Sequence, residues 1–248
     1  GFASGLFGIG GGLVVVPVLL FVFALQGVPE AVQMHLAIGT SLATIVVTSL
    51  SSIRAHHKRG GILWPVFRRL SAGIVVGVFI GAVFADALPG EALRYIFAVF
   101  VLLMALRMGV SGQPKAHRSL PGVAGLIGSG GVIGAASAML GIGGGSLTVP
   151  YLAWCGVEMR KAVGTSAACG LPIALVGAIG FVTTGWSQPL LPPAATGYVY
   201  WPAVAGIVVV SALVAPLGAR LAHRLPNLVL KRAFAVFLLI VGVRLLLA

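Results

Sequence analysis

The sequence predicts an all-α polytopic membrane protein made of two inverted-topology repeats, each with about five helical elements, some of them glycine-broken or half helices. Three observations lead to this prediction: an apolar composition, a duplicated glycine-rich motif, and basic residues that alternate between equivalent loops. Charged residues are 8% of the 248 residues, whereas an ordinary globular chain has roughly 25%. Several apolar runs approach or exceed the ~18 residues that indicate a membrane-spanning helix.

The strongly basic character of the chain has two interpretations. A net charge of +12 and a pI of 11.2 would also suit a nucleic-acid-binding protein. However, the basic residues lie between apolar runs rather than on one polar face, which is how membrane proteins mark their cytoplasmic side. We therefore expect a lipid bilayer, and no nucleic acid, as the partner of this surface.

The duplication is clearest in the run Gly8-Ile9-Gly10-Gly11-Gly12, which returns as Gly141-Ile142-Gly143-Gly144-Gly145. Aligning Phe2–Leu19 with Ala135–Leu152 gives 10 identities in 18 positions. Each glycine inside a helix costs about 1 kcal/mol relative to alanine. We therefore expect each helix to be broken at its glycine run.

Further matches follow in the same order along the chain. They are Gly39-Thr40-Ser41 with Gly164-Thr165-Ser166, Trp64-Pro65 with Trp201-Pro202, and Phe97–Phe100 with Phe234–Phe237. We predict a first repeat over residues 1–112, a cytoplasmic linker over 113–120, and a second repeat over 121–248. An apolar stretch precedes the glycine run only in the second repeat, so we expect the first repeat to lack its N-terminal element.

The second repeat contains five apolar elements. They are predicted at Pro121–Leu140, Ser146–Cys155, Ala162–Thr184, Tyr198–Ala219 and Leu228–Leu247. The second of these is too short for the ~20 residues of a full span. It is either a half-helix or one arm of a re-entrant pair.

Loop charges indicate how the repeats are oriented. The connection 54–69 carries five basic residues, whereas its equivalent, 185–197, carries no charge. If the repeats are inverted, 14 of the 16 Lys and Arg residues lie on the cytoplasmic side, which is the positive-inside pattern. Inverted repeats with interrupted helices are typical of secondary transporters, whose site lies near the midplane between the repeats.

The glycine runs are the first candidate site. A helix that starts after a glycine run leaves its first N–H groups unpaired, and its N-terminus favours an anion. The candidate substrate-binding residues here are Gly10, Gly11, Gly12, Gly143, Gly144, Gly145 and Ser146. Ser146 is also a candidate helix cap. The alternative is that the glycines only allow close helix packing.

A nucleotide-binding loop is not indicated, since no Gly-Lys-Ser/Thr follows either run.

Hydroxyl groups and one histidine complete the candidate set. Thr40, Ser41, Thr165 and Ser166 either donate hydrogen bonds to a ligand or bond back to their own helix. His35 is the only histidine outside the basic loops. It is either an interfacial side chain at a helix start or a residue for proton coupling or gating.

The four acidic residues, Glu30, Asp86, Glu91 and Glu158, fall in connections. We therefore expect no carboxylate site for a coupling ion, and we predict no metal, no cofactor and no catalytic residues. Export of an anion needs no coupling, because a potential of 100 mV contributes about 2.3 kcal/mol per charge, or roughly 50-fold. A channel, and uptake coupled to H⁺ or another ion, remain the alternatives.

The motif Gly-x-Gly-Gly-Gly-x-x-x-x-Pro in both halves, with Gly-Thr-Ser after each copy, resembles the TauE/SafE family of sulfite and organosulfur anion transporters. The resemblance covers both repeats. It implies a multi-pass transporter of the bacterial inner membrane that moves a small sulfur-containing anion such as sulfite, a sulfonate or an organosulfur acid. It leaves the substrate, the direction, and the choice between monomer and homodimer open.

Overall fold

A computed structural model of the chain describes residues 11–110, 119–222 and 227–247. Gly10, predicted as a ligand, and most of the predicted linker 113–120 lie outside the described residues. The helices are α1 (Gly12–Leu25), α2 (Glu30–Lys58), α3 (Trp64–Asp86), α4 (Gly90–Val110), α5 (Val123–Leu140), α6 (Gly145–Trp154), α7 (Met159–Thr184), α8 (Trp201–Ala222) and α9 (Asn227–Leu247).

Four of the described helices, α2, α3, α5 and α7, are long and apolar enough to cross a bilayer. The predicted class, an all-α polytopic membrane protein, is therefore confirmed. The five elements predicted in the second repeat correspond to α5–α9, with boundaries that differ by up to three residues.

The main departure from the predicted elements is at the start of α8, which we expected at Tyr198. Instead, a short antiparallel hairpin pairs Ala195–Thr196 (β1) with Val199–Tyr200 (β2), and the helix begins at Trp201. Proline is favoured at the first helical positions because its missing N–H needs no partner there. Pro202 accordingly marks the start of α8, as Pro65 marks that of α3.

Both glycine runs end next to a short helix. After α5, Gly141 adopts a left-handed conformation with φ 62°, which glycine tolerates without steric cost, and Ile142 N–H donates to Ser137 O at 3.1 Å. The ten residues of α6 give about 15 Å of helix, half of the ~30 Å apolar thickness of a bilayer. Helix α1, with 14 residues, is also shorter than a full span.

The interior is organised around α2 and α7, which pack against each other, while α3 packs against both α5 and α7 and α4 packs against α9. In the repeat alignment, α2 is equivalent to α7, and α4 is equivalent to α9. Contacts between equivalent helices are expected when a two-fold axis passes between two repeats. This packing supports the inverted-repeat arrangement, which remains a prediction.

Two hydrogen bonds, which we call the threonine clasp, connect the two halves. Leu63 N–H donates to Thr165 Oγ1 at 2.9 Å, and Tyr200 N–H donates to Thr40 Oγ1 at 3.0 Å. Leu63 and Tyr200 are equivalent in the alignment, because each directly precedes a Trp-Pro pair. Both hydroxyls are fully buried, so each half satisfies a backbone amide of the other.

The glycine before each threonine allows this close approach. A Cβ atom at Gly39 would overlap the carbonyl oxygen of Tyr198, and one at Gly164 would overlap the carbonyl oxygen of Gly61. Backbone cannot move aside as a flexible side chain can. Gly-Thr therefore serves at both positions as a docking point for the connection from the other half.

The clasp predicts equal costs for two distant substitutions. Thr40→Val and Thr165→Val keep the side-chain shape but remove the acceptor of a partly buried N–H, which costs about 1 kcal/mol. Thermal unfolding of the purified protein in detergent should show both variants destabilised to a similar extent.

Thr44→Val is the matched control, because Thr44 is also buried in α2 but its hydroxyl only donates to Ser41 O of the same helix. If either clasp variant unfolds at the wild-type temperature, its hydrogen bond does not connect the halves.

Candidate functional site

The two glycine runs meet inside the protein. A Cβ atom added at Gly12 would lie 2.5 Å from Gly141 O and 2.7 Å from Ile142 Cα. The start of α1 therefore lies directly against the break that separates α5 from α6. This contact depends on bare backbone at Gly12, so the glycines are required for packing at this point.

A cavity of about 400 Å³, here called the inner cavity, lies beside this contact. From the glycine runs it is lined by Gly11, Gly143, Gly144 and Gly145. The starts of α1 and α6 therefore face the same space.

The first turns of α1 and α6 supply hydrogen-bond donors there. Val15 N–H donates to Gly11 O at 2.9 Å, and Thr148 N–H donates to Gly144 O at 2.8 Å. Val14 N–H also donates to Gly11 O, at 3.1 Å. The amides for which the helix provides no acceptor are therefore those before Val14 in α1 and those before Thr148 in α6. Two helix N-termini, each with a partial positive charge, are therefore directed towards one cavity.

Ser166 adds a second kind of polar group. It lines the inner cavity, it is fully buried, and its Oγ atom has no hydrogen-bond partner. Buried hydroxyls are nearly always paired. An unpaired hydroxyl beside two helix N-termini is the arrangement expected when a ligand supplies the missing acceptor.

Other predicted ligands have structural contacts instead. Ser41 Oγ donates to Gly141 O at 2.8 Å, and Thr40 and Thr165 form the clasp. Ser146 is not a helix cap: α6 begins at Gly145, its N-cap residue is Gly144, and no side chain caps it. The expected cap was wrong because Ser146 lies one residue inside the helix, where its hydroxyl is past the capping position.

One set of lining residues was missed by the sequence reasoning. A stripe along α2 forms the opposite wall of the inner cavity, and it consists of Ile45, Thr48, Ser49, Ser52 and His56. Their spacing of three or four residues places them on one face of a helix. A polar stripe within an otherwise apolar span was visible in the sequence and indicates a face turned away from lipid.

The described lining of the inner cavity contains no Lys, Arg, Asp or Glu, but one end of the cavity lies near a basic region. The cavity extends towards the basic end of α2, where Arg54, Lys58 and Arg59 lie, and where Arg160 Nη2 donates to Arg59 O at 2.8 Å. The described lining residues include no Asp or Glu. An anion therefore meets no fixed negative charge on the walls of the cavity.

His35 lies elsewhere. It lines a separate cavity of about 720 Å³ at the Glu30 end of α2, here called the outer cavity, together with Asp86, Arg94 and Tyr198. Its Nε2–H donates to Ala85 O at 3.0 Å, its ring stacks on Tyr198 at 5.0 Å, and its Nδ1 has no partner. The structure thus separates His35 from the glycine runs, and its coupling or gating role stays a prediction.

A helix broken at Gly141, four apolar spans and a cavity lined by glycine backbone and hydroxyl groups are typical of a multi-pass membrane transport protein. The profile of the family described as Sulfite exporter TauE/SafE matches residues 1–245. A probable membrane transporter protein of Haemophilus influenzae is 41% identical over the whole chain and 94% of its own length. One from Methanocaldococcus jannaschii is 30% identical over 81% of the chain and 72% of its own length.

The chain therefore belongs to the TauE/SafE family. The probable membrane transporter protein YdhB of Bacillus subtilis is also similar, with 27% identity over 91% of the chain and 90% of its own length. No solved structure matches the chain. The protein is a membrane transporter and not an enzyme, and its bacterial relatives and apolar helices assign it to the inner membrane as a multi-pass protein.

The contact between the glycine runs predicts different tolerance at two glycines. Gly12→Ala forces a methyl group against the Gly141 and Ile142 backbone, and overpacking of this kind costs about 1–3 kcal/mol. Gly143→Ala meets only the Ile45 side chain, at 3.5 and 3.9 Å, so its unfolding temperature should stay near that of the wild type. Thermal unfolding in detergent compares the two variants, and an undisturbed Gly12→Ala would show that the runs do not touch.

Proposed function

We propose that the protein is a secondary transporter that carries a small sulfur-containing anion out of the cytoplasm by alternating access between two inverted repeats. The observation that carries this proposal is the meeting of two helix N-termini and the unpaired Ser166 hydroxyl at the inner cavity. These groups are hydrogen-bond donors with partial positive charge, which is what a small oxyanion requires.

The substrate class draws on both the cavity and the family. Bare glycine backbone lets an oxyanion come within hydrogen-bond distance of main-chain amides, and the lining residues that the structure describes offer no carboxylate to a cation. The name of the family profile, Sulfite exporter, supports sulfite or a sulfonate over other small anions. The relatives are named only as probable membrane transporters, so the substrate is our inference.

A carrier explains the structure better than a channel. The inner and outer cavities lie at opposite ends of α2, and fully buried side chains such as Leu42 and Phe181 lie between them. A channel requires a continuous pore, whereas a carrier is closed on at least one side. The closure between the cavities supports alternating access.

The membrane potential and the inner cavity both favour export. The positive-inside pattern assigns the basic end of α2, and hence the inner cavity, to the cytoplasm. Substrate would then load from the side where the anion has the higher electrical energy, about 2.3 kcal/mol per charge per 100 mV.

Proton-coupled uptake is the second candidate, because His35, with its unpaired Nδ1, lies in the outer cavity. The two directions are distinguished by sulfite flux in proteoliposomes. Export predicts flux that a potential drives without a pH gradient, whereas coupled uptake predicts flux that depends on one.

Sulfite binding tests the site itself. A hydrogen bond to a charged group contributes about 1.5–3 kcal/mol, so Ser166→Ala should weaken sulfite binding by roughly tenfold or more. Gly143→Ala should also weaken it, because a methyl group keeps the anion from the amides. Titration calorimetry on the purified protein measures both, and a thermal-shift screen of sulfite, sulfate, taurine, sulfoacetate and thiosulfate defines the preferred anion.

Ser51→Ala is the matched control, because Ser51 is exposed on α2 and its hydroxyl donates to Thr48 O. Wild-type sulfite affinity in Ser166→Ala and Gly143→Ala together would overturn the site assignment.

A further inference from the structure

We propose that Ser41 is a second substrate-binding hydroxyl, which becomes available when the protein opens to the outside, and that it alternates in this role with Ser166. The proposal rests on the proposed transport function and extends it to the outward-open state. Its basis is a set of residue pairs in α2 and α7 that are equivalent in the repeat alignment. In each pair, one residue lines the inner cavity and the other is bonded or packed inside the protein.

The two serines are equivalent in the repeat alignment but differ in their hydrogen bonds. Ser41 Oγ donates to Gly141 O at 2.8 Å, whereas Ser166 Oγ has no partner. Both side chains are fully buried, so solvent does not account for the difference. One hydroxyl is therefore occupied by the protein while the other is left for a ligand.

Two further pairs of equivalent residues differ in the same way. In each pair, one residue lines the inner cavity and the other is packed against a neighbour. Ser52 of α2 and Ala167 of α7 line the inner cavity. Their equivalents are Gly177 of α7 and Leu42 of α2, and these are packed together: a Cβ atom at Gly177 would lie 2.8 Å from Leu42 Cδ1. Ser52 and Ala167 thus border the inner cavity, whereas their equivalents, Gly177 and Leu42, are packed together on the outer side.

A third pair follows this pattern. His56 lines the inner cavity, and its equivalent, Phe181, is fully buried. The Phe181 ring packs edge-on against Tyr198 at 6.2 Å, and Tyr198 lines the outer cavity. We call Leu42, Gly177 and Phe181 the outer seal, because they lie between the outer cavity and the glycine runs.

An exchange of conformation between the repeats would reverse these environments. The outer seal would separate, Ser41 would be released from Gly141 O, and the outer cavity would extend to the glycine runs. Ser52 and Ala167 would then approach each other and close the cytoplasmic side. Alternation of this kind around a fixed site is the expected behaviour of inverted repeats.

The seal also favours one of the two proposed states over the other. Leu42 fills the space next to Gly177, whereas its equivalent, Ala167, is too small to fill the corresponding space beside Ser52. Burial of the larger side chain favours the state in which the outer side is closed. Leu42→Ala removes this preference, and Ala167→Leu creates the same preference on the opposite side.

Thiol labelling in vesicles tests the exchange. In a background with Cys155→Ala and Cys169→Ala, Ser41→Cys reports opening to the outside and Ser166→Cys reports opening to the cytoplasm. Ser166 lines the inner cavity, so a membrane-impermeant thiol reagent should label Ser166→Cys from the cytoplasmic side faster than it labels Ser41→Cys from outside. Because a minor state is populated at roughly 0.1–10%, Leu42→Ala should raise the labelling rate of Ser41→Cys about tenfold or more and lower that of Ser166→Cys.

Ala167→Leu is the second variant, since it fills an existing cavity and keeps the seal intact, and it should shift both labelling rates in the same directions. Leu36→Ala is the control, because Leu36 is an equally buried leucine of α2 outside the exchanging pairs. Labelling rates that stay unchanged in both Leu42→Ala and Ala167→Leu would overturn the proposal.

Sulfite binding, measured on the Cys155→Ala, Cys169→Ala background protein in which both serines are intact, separates this proposal from the proposed function. Shifts in labelling without sulfite binding by the background protein would keep the exchange of the serines but refute sulfite as the ligand. Sulfite binding without any shift in labelling would keep the inner site and refute the role of Ser41.

Discussion

The contact of bare backbone between the two glycine runs is the constraint on which the rest of the structure depends. A Cβ atom at Gly12 would lie only 2.5 Å from Gly141 O, so no side chain fits at Gly12. On the other side of this contact the chain turns at Gly141, with φ 62°, and the starts of α1 and α6 face one cavity. Close packing and the proposed anion recognition, which the sequence presented as alternatives, are therefore compatible with each other in this arrangement.

Two kinds of polar contact then hold the halves together, and they differ in symmetry. The threonine clasp is symmetric, with bonds of 2.9 and 3.0 Å at equivalent positions. The serines one residue further on are not, since only Ser41 is bonded. A symmetric clasp can persist while the serines exchange partners. In each Gly-Thr-Ser sequence, the threonine thus forms a fixed connection between the halves, and the serine is able to change its hydrogen-bond partner.

The sequence predicted those features that depend on local pattern. The lengths of the apolar runs predicted the membrane class and the helices of the second repeat, and the second glycine run predicted the break between α5 and α6. The roles of Thr40 and Thr165 were not predictable, because their partners lie 160 and 102 residues away and are backbone amides without a residue signature. The hairpin at Ala195–Tyr200 was missed for a related reason, since four residues are too few to show an alternating pattern.

The positions at which the two repeats differ indicate which open state is preferred, whereas the positions at which they agree do not. If both halves had identical residues at the seal positions, neither opening would be preferred. The chain has leucine at 42 and alanine at 167, so in the proposed exchange the state that is closed at the outer seal is the better packed one. For an anion exporter in a membrane that is negative inside, a resting state open to the cytoplasm places the empty site where substrate is loaded. The unequal pair therefore fits the direction of transport that the membrane potential favours.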